Sequence, residues 1–139
     1  MIVLDTNVIS ELMKPVPDAR VLDWLDRQPR DEIYTTAICE AELLTGVALL
    51  PAGRRRDDVR ARVAKTLQWI GSNRILPFDS PAAGHYADVR SRLKREGRLV
   101  EPLDVQIASI CLAYGARVAT RNVAHFEAAG VDIIDPWTA

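Results

Sequence analysis

A chain of 139 residues, 48% apolar and 27% charged, has enough material for one domain with a continuous core and needs no disulfide framework to fold. Eighteen basic residues against nineteen acidic ones leave a net charge of −1, which excludes the uniformly basic type of nucleic-acid binder. Attraction to a polyanion would have to come from a local basic face or from bound cations.

The opening run Ile2–Leu4 is a buried strand that stops abruptly at Asp5, and a helical segment near Val8–Met13 follows. Pro15 and Pro17 break that helix; Asp18 caps another, which carries Val21, Leu22, Trp24 and Leu25. Glu32–Thr35 is a second short strand, and Thr36 caps a helix running to about Leu50, where Pro51 and Gly53 stop it. Arg54–Ile70 places Val59, Val63, Leu67 and Ile70 at helical spacing, with arginines on the other faces. Arg74–Pro77 is a brief third strand, and a helix from Ser80 to Glu96 ends at Gly97. Pro102–Tyr114 is the next helix, closed by Gly115 in the left-handed conformation. Arg117–Ala119 is a strand, Asn122–Phe126 a turn or short helix, and Asp132–Ile134 a final strand.

Short apolar strands alternating with helices predict a single α/β domain over residues 1–139, with a mainly parallel central sheet flanked by helices. Ligands of such sheets bind beyond the carboxyl ends of the strands, where Asp5, Thr36 and Thr120 fall. Cys39 and Cys111 lie far apart in apolar, helix-like stretches and read as reduced core thiols. With no leader-like or membrane-spanning run, the expected location is cytoplasmic.

Three acids occupy unusual places. Asp5 ends an apolar strand; it serves either as an N-cap or as a site carboxylate, and the polar Thr6 and Asn7 in the same turn favour a site. In CEAELLTG one of Glu40 and Glu42 should face inward. Gly46, one turn beyond Glu42, is expected to leave room for a neighbouring element there, but spacing alone does not decide between the two. Asp104 stands in the first turn of its helix, a position that helix-start electrostatics alone would favour. The small residues Ala108, Cys111 and Gly115 on its face suggest close packing that would aim it at the sheet end. Convergence of the three would raise their pKa values unless a cation intervened, and Mg²⁺ or Mn²⁺ suits carboxylate oxygens. Zinc lacks a ligand cluster, and His85 and His125 read as surface or packing residues.

The segments DTNVISEL (Asp5–Leu12), AELLTG (Ala41–Gly46), PLDVQIASICLAYG (Pro102–Gly115) and ATRNVAHFE (Ala119–Glu127) resemble PIN-domain proteins. The likeness is strongest to VapC-type toxins of the FitB-like branch, which also end in an apolar strand and Asp-Pro-Trp, here Asp135–Trp137. It runs from Met1 to Trp137. The resemblance implies a PIN-like fold and a Mg²⁺- or Mn²⁺-dependent endoribonuclease. That enzyme would be the toxin of a type II toxin–antitoxin pair, held in check by its cognate antitoxin. Carried over by position, Asp5, Glu42 and Asp104 match the first three acids, which favours Glu42 over Glu40. Thr6, Asn7 and Ser10 match supporting polar positions, and Thr120 the hydroxyl before the last motif. Many relatives have a fourth acid at the position of Asn122 or three residues on, where this chain has His125.

On this reading Asp5, Asp104 and Glu42 hold the metal, and Asn122 and Thr120 position water or phosphate. RNA contacts are expected from Arg90, Arg92, Lys94, Arg95 and Arg98; Arg54–Arg56, Arg60 and Arg62 read rather as a solvated helix face. A second class of function is a binding module, its acidic pocket filled by an arginine of a VapB/FitA-like antitoxin that carries a DNA-binding domain. A dehalogenase-like phosphatase would need Asp at position 7, which is Asn7, and a flap-type DNA nuclease would need more acids and length. Apolar helices around Val21–Leu25 and Val59–Ile70 either complete the core or provide for a homodimer, an antitoxin groove, and a heterotetramer or larger complex with antitoxin.

Overall fold

The computed structural model describes residues 1–139. Five strands form one sheet in the order β3-β2-β1-β4-β5, every neighbouring pair parallel. They are β1 (Ile2–Leu4), β2 (Ile33–Thr36), β3 (Ile75–Leu76), β4 (Arg117–Ala119) and β5 (Ile133–Ile134). Seven α-helices connect them: α1 (Thr6–Leu12), α2 (Ala19–Asp26), α3 (Ala37–Ala48), α4 (Arg54–Ile70), α5 (Ser80–Arg95), α6 (Pro102–Tyr114) and α7 (Val123–Ala129). The expected α/β architecture is therefore present, with edge strands β3 and β5 trimmed to two residues each.

Side chains on β1 alternate between two cores, as the pleat requires. Ile2 and Leu4 join Val8, Ile9, Val21, Trp24, Val63 and Ile70 on the face covered by α1, α2 and α4. Val3 points the other way, into the core of α5, α6 and α7 with Val89, Leu93, Ile107, Ile110 and Phe126. Both cysteines are buried and free, as expected of core thiols.

Local chemistry starts and stops these helices. Thr36 ends β2 and caps α3 by accepting the Cys39 N–H at 3.1 Å. Asp79 caps α5 by accepting the Ala82 N–H at 3.2 Å, and it also accepts the Tyr114 hydroxyl at 2.8 Å, which ties α5 to α6. Gly115 closes α6 at φ +66°; a Cβ there would meet nothing within 4 Å, so conformation rather than packing requires the glycine.

The order of strand addition reverses between β1 and β4: β2 and β3 are added on one side of β1, β4 and β5 on the other. A parallel sheet opens a crevice at that switch point, beyond the carboxyl ends of its strands. Leu4 pairs with Ala119 across it, so Asp5 and Thr120 leave the sheet side by side.

Candidate active site

Asp5 is fixed on every side. Its backbone N–H donates to the Ala119 carbonyl at 3.0 Å, and its Oδ1 accepts the Thr6 N–H at 2.7 Å. Its Oδ2 accepts from the Thr120 hydroxyl at 2.7 Å and from the Asn7 side-chain amide at 3.2 Å. Asp5 is thus the cap of α1, as one reading of the sequence held, yet its carboxylate also lines the cleft. At 3% exposure, burial pushes its carboxyl from the ordinary 3.8 up to about 6. The Thr120 hydroxyl and the Thr6 N–H pull it back down, while the nearby charges of Asp104 and Glu42 push it up.

The cleft above Asp5 has a volume of about 410 Å³ and is walled by Thr6, Asn7, Ser10, Glu42, Asp104 and Asn122, together with Glu11, Lys14, Arg121 and Trp137. Glu42 is oriented by the Thr6 hydroxyl, which donates to its Oε1 at 2.8 Å. One oxygen of Asp5, one of Glu42 and the Cys39 sulfur lie within 4.8 Å of each other. Cys39 is not a credible ligand: burial and the Asp5 charge push its thiol up to about 11, so it remains protonated, its Sγ 3.9 Å from Asp5 Oδ1. The remaining donors are hard carboxylate oxygens with room for water, which fits Mg²⁺ or Mn²⁺. Asp104 lines the same cleft but lies outside the 4.8 Å set, so an ion between the acids would reach some of them through water.

The expectations for Thr120, His125 and Gly46 need correction, whereas the placements of Asn122 and Glu42 agree with the sequence reading. Thr120 is fully buried beneath the cleft, so its hydroxyl serves Asp5 and accepts the Asn122 N–H at 3.0 Å; it cannot reach phosphate. Asn122 is exposed on the rim. His125 is neither a plain surface nor a packing residue, because its Nδ1 meets Asp104 Oδ2 at 2.6 Å. Gly46 faces open space, a Cβ there meeting nothing within 4 Å, so it accommodates no neighbouring element. Glu40 and Glu42 are both half-buried, and Glu42 alone of the two lines the cleft.

The five basic candidates around the end of α5 lie outside the cleft wall. Arg92 is engaged within the fold, donating to the Ala128 carbonyl at 3.0 Å and pairing with Glu96 at 3.6 Å. Arg98 pairs with the same Glu96 at 3.6 Å. Arg90, Lys94 and Arg95 are exposed, and Arg90 lines a depression that reaches His125.

Sequence reasoning passed over four residues of the cleft. Buried Glu11 accepts the Asp18 N–H at 3.1 Å and pairs with Lys14 at 3.0 Å. Arg121 lies 4.7 Å over the Trp137 ring. A charged residue at a buried helical position, as Glu11 is in Val8–Leu12, was the one signal that could have marked this wall.

Residues 2–131 match the PIN domain family model. The chain is 47% identical over 137 residues to the VapC ribonuclease Y4jK of Sinorhizobium fredii, covering 99% of this chain and 98% of that protein. It is 42% identical to Toxin FitB of Neisseria gonorrhoeae, covering 99% of each. A solved structure of FitAB bound to a DNA fragment superposes with a TM-score of 0.90 at 41% identity, over 99% of this chain and 96% of that one. With its five-stranded parallel sheet and an acidic cleft at the switch point, the chain belongs to the PIN-domain family, among its VapC- and FitB-type toxins.

Proposed function

We propose that this protein is a metal-dependent endoribonuclease, the toxin of a type II toxin–antitoxin pair, which hydrolyses RNA phosphodiesters in the cleft of Asp5, Glu42 and Asp104. The observation that carries the reading is the convergence of carboxylates from three separate helix starts and faces on one cleft at the sheet's switch point. Neither core packing nor capping requires all three there, and mutual repulsion opposes the arrangement.

Asp5, Glu42 and Asp104 would hold Mg²⁺ or Mn²⁺, directly or through water. The ion would stabilise charge on the attacked phosphate and make water a better nucleophile near neutral pH. Thr120 and Asn7 hold Asp5 Oδ2, the Thr6 N–H holds Oδ1, and the Thr6 hydroxyl fixes Glu42, so the carboxylates are pre-aligned for binding. Glu42, held through one oxygen, has the other free to orient a water or take its proton. Three acids rather than four favour one firmly held ion.

The pairing with an antitoxin is supported by the relatives, one of them named a toxin and one solved as FitAB on DNA. A VapB/FitA-like partner with a DNA-binding domain would insert a cationic side chain among the three carboxylates. Its apolar segment would occupy the groove of about 490 Å³ lined by Leu12, Met13, Leu22, Leu25 and Trp69. Val21, Trp24, Val63 and Ile70 complete the core beneath, leaving those side chains without an intrachain role of equal depth. A homodimer within a larger complex suits the remaining exposed leucines, and a cytoplasmic site of action suits an RNA substrate. No helix is long and apolar enough to cross a membrane.

The test is cleavage of cellular RNA by purified protein with Mg²⁺ or Mn²⁺ against EDTA. Asp5→Asn and Asp104→Asn should abolish metal-dependent cleavage while remaining folded; undiminished cleavage by either would refute the assignment.

A further inference from the structure

Two cations line the acidic cleft, Lys14 and Arg121, and they are held differently. Lys14 is neutralised by Glu11 at 3.0 Å. Arg121 joins no ion pair, although Asp5, Glu11, Glu42 and Asp104 share its cleft. Its guanidinium carbon instead lies over the indole of Trp137, 4.7 Å from the ring centroid. Both ends of this stack are anchored. The Arg121 backbone N–H donates to Asn7 Oδ1 at 3.2 Å, which joins it to the turn that carries Asp5. Trp137 is only 6% exposed, packs into the core under β1, and donates its backbone N–H to Asp135 Oδ1 at 3.0 Å.

The guanidinium of Arg121 makes no ion pair or side-chain hydrogen bond within the fold, so its N–H groups remain available, and their planar fork matches two oxygens of one phosphate. The cleft wall is otherwise dominated by carboxylates, which repel a phosphodiester. A cation that collapsed onto them would be of no use to the substrate, and Arg121 sits over the indole rather than on an acid. We propose that Arg121, held on Trp137, is a phosphate-binding subsite that receives the phosphodiester group of a single RNA strand at the rim of the acidic cleft. This rests on the nuclease reading for its substrate class, and it adds a residue that binds the substrate strand to the three acids.

The probe is a fluorescein-labelled single-stranded RNA of mixed sequence. Binding is followed by anisotropy from 50 to 300 mM KCl with Ca²⁺ replacing Mg²⁺, since Ca²⁺ takes oxygen ligands with a looser geometry. Arg121→Ala should weaken binding by roughly ten-fold or more at low salt. It should also make the dependence of log Kd on log salt shallower by about 0.7, the share of one phosphate contact on a single strand. Arg121→Lys should keep the slope with an intermediate Kd, and Trp137→Phe, which preserves a ring beneath the guanidinium, should stay close to the parent protein. Thermal unfolding of each variant reports on folding, and Arg121→Gln provides the same slope comparison if the alanine variant does not fold. Parent-like affinity and slope in Arg121→Ala would overturn the subsite, and so would weaker binding with an unchanged slope, the mark of a structural role. Cleavage of the same RNA in Mg²⁺ is scored separately. A shallower slope without any cleavage would sustain the subsite and defeat the nuclease reading, and cleavage with an unchanged slope would do the reverse.

Discussion

Replacing Asp5 with asparagine should abolish activity and yet stabilise the metal-free protein at neutral pH. Burial holds the folded-state pKa of Asp5 near 6 against an ordinary 3.8. A carboxyl raised in this way favours folding fully only below about pH 4, and that contribution is lost as pH rises through 6. The gap of about 2 in pKa corresponds to a cost of roughly 3 kcal/mol at pH 7.5. Asparagine removes the charge but mismatches its surroundings, because both Asp5 oxygens accept from donors: Thr6 N–H and the Cys39 thiol on one, Thr120 and Asn7 on the other. The Thr120 hydroxyl can turn to accept, but the Asn7 amide would have to give up its bond from Arg121 N–H, a loss of about 1–2 kcal/mol. The net gain is then about 1–2 kcal/mol, or roughly 3–7 °C in Tm for a chain of this size. Differential scanning fluorimetry in EDTA at pH 4 and pH 7.5 measures it. The gain should be present at pH 7.5 and vanish or reverse at pH 4. A Tm below that of the parent at pH 7.5, or a difference independent of pH, would refute the account of Asp5 as a destabilised buried charge.

Thr120→Val removes the hydroxyl that lowers the Asp5 pKa, so the acidic limb of the pH–activity profile should move upward from about 6. The orphaned Asn122 N–H and Asp5 oxygen should lower stability by about 1–3 kcal/mol in urea titrations. An unmoved limb would mean that Asp5 titration does not set it. His125→Asp places a fourth acid against Asp104, now 2.6 Å from the imidazole, and should tighten Mn²⁺ binding by about ten-fold in calorimetry while destabilising the metal-free protein. Unchanged affinity would show that position 125 does not face the ion. Leu22→Glu, on the groove lip, should prevent capture of the co-expressed antitoxin while leaving RNA cleavage intact. Retained capture would place the antitoxin elsewhere.

The sheet was legible because β1 and β4 are short apolar runs bounded by polar turns, and a parallel sheet buried on both faces leaves just that trace. Asp5 was legible for the same reason, as a charge directly ending such a run. Glu42 was not, because α3 is apolar nearly all round: Leu44 and, at its C-cap, Leu49 remain 51% and 79% exposed, and hydrophobicity alone does not separate a core face from a partner face. The argument from Gly46 failed because a missing side chain marks close packing only where a neighbour exists. His125 and Asp104 stand 21 positions apart on α6 and α7, and their contact depends on how those helices pack. The Arg121–Trp137 stack likewise joins the end of β4 to the chain beyond β5, and no local spacing encodes that distance.

On the proposed reading, the cleft would draw its affinity for cations from a buried carboxylate that costs the fold stability. Donors converge on Asp5 from Thr6, Asn7 and Thr120, and they hold a carboxylate ionised where burial disfavours it. Whatever neutralises that charge recovers the destabilisation as binding free energy, so it binds the folded state alone and raises stability by mass action. On the proposed reading, a divalent ion and an antitoxin guanidinium would draw on the same charge in the same cleft of about 410 Å³, and each would then weaken the other by an equal factor. On that reading, inhibition would need no conformational change, only a cation that carries no reactive water. Arg121 joins no ion pair with these acids, so on the same reading the cleft would retain one positive charge for a phosphate in either state.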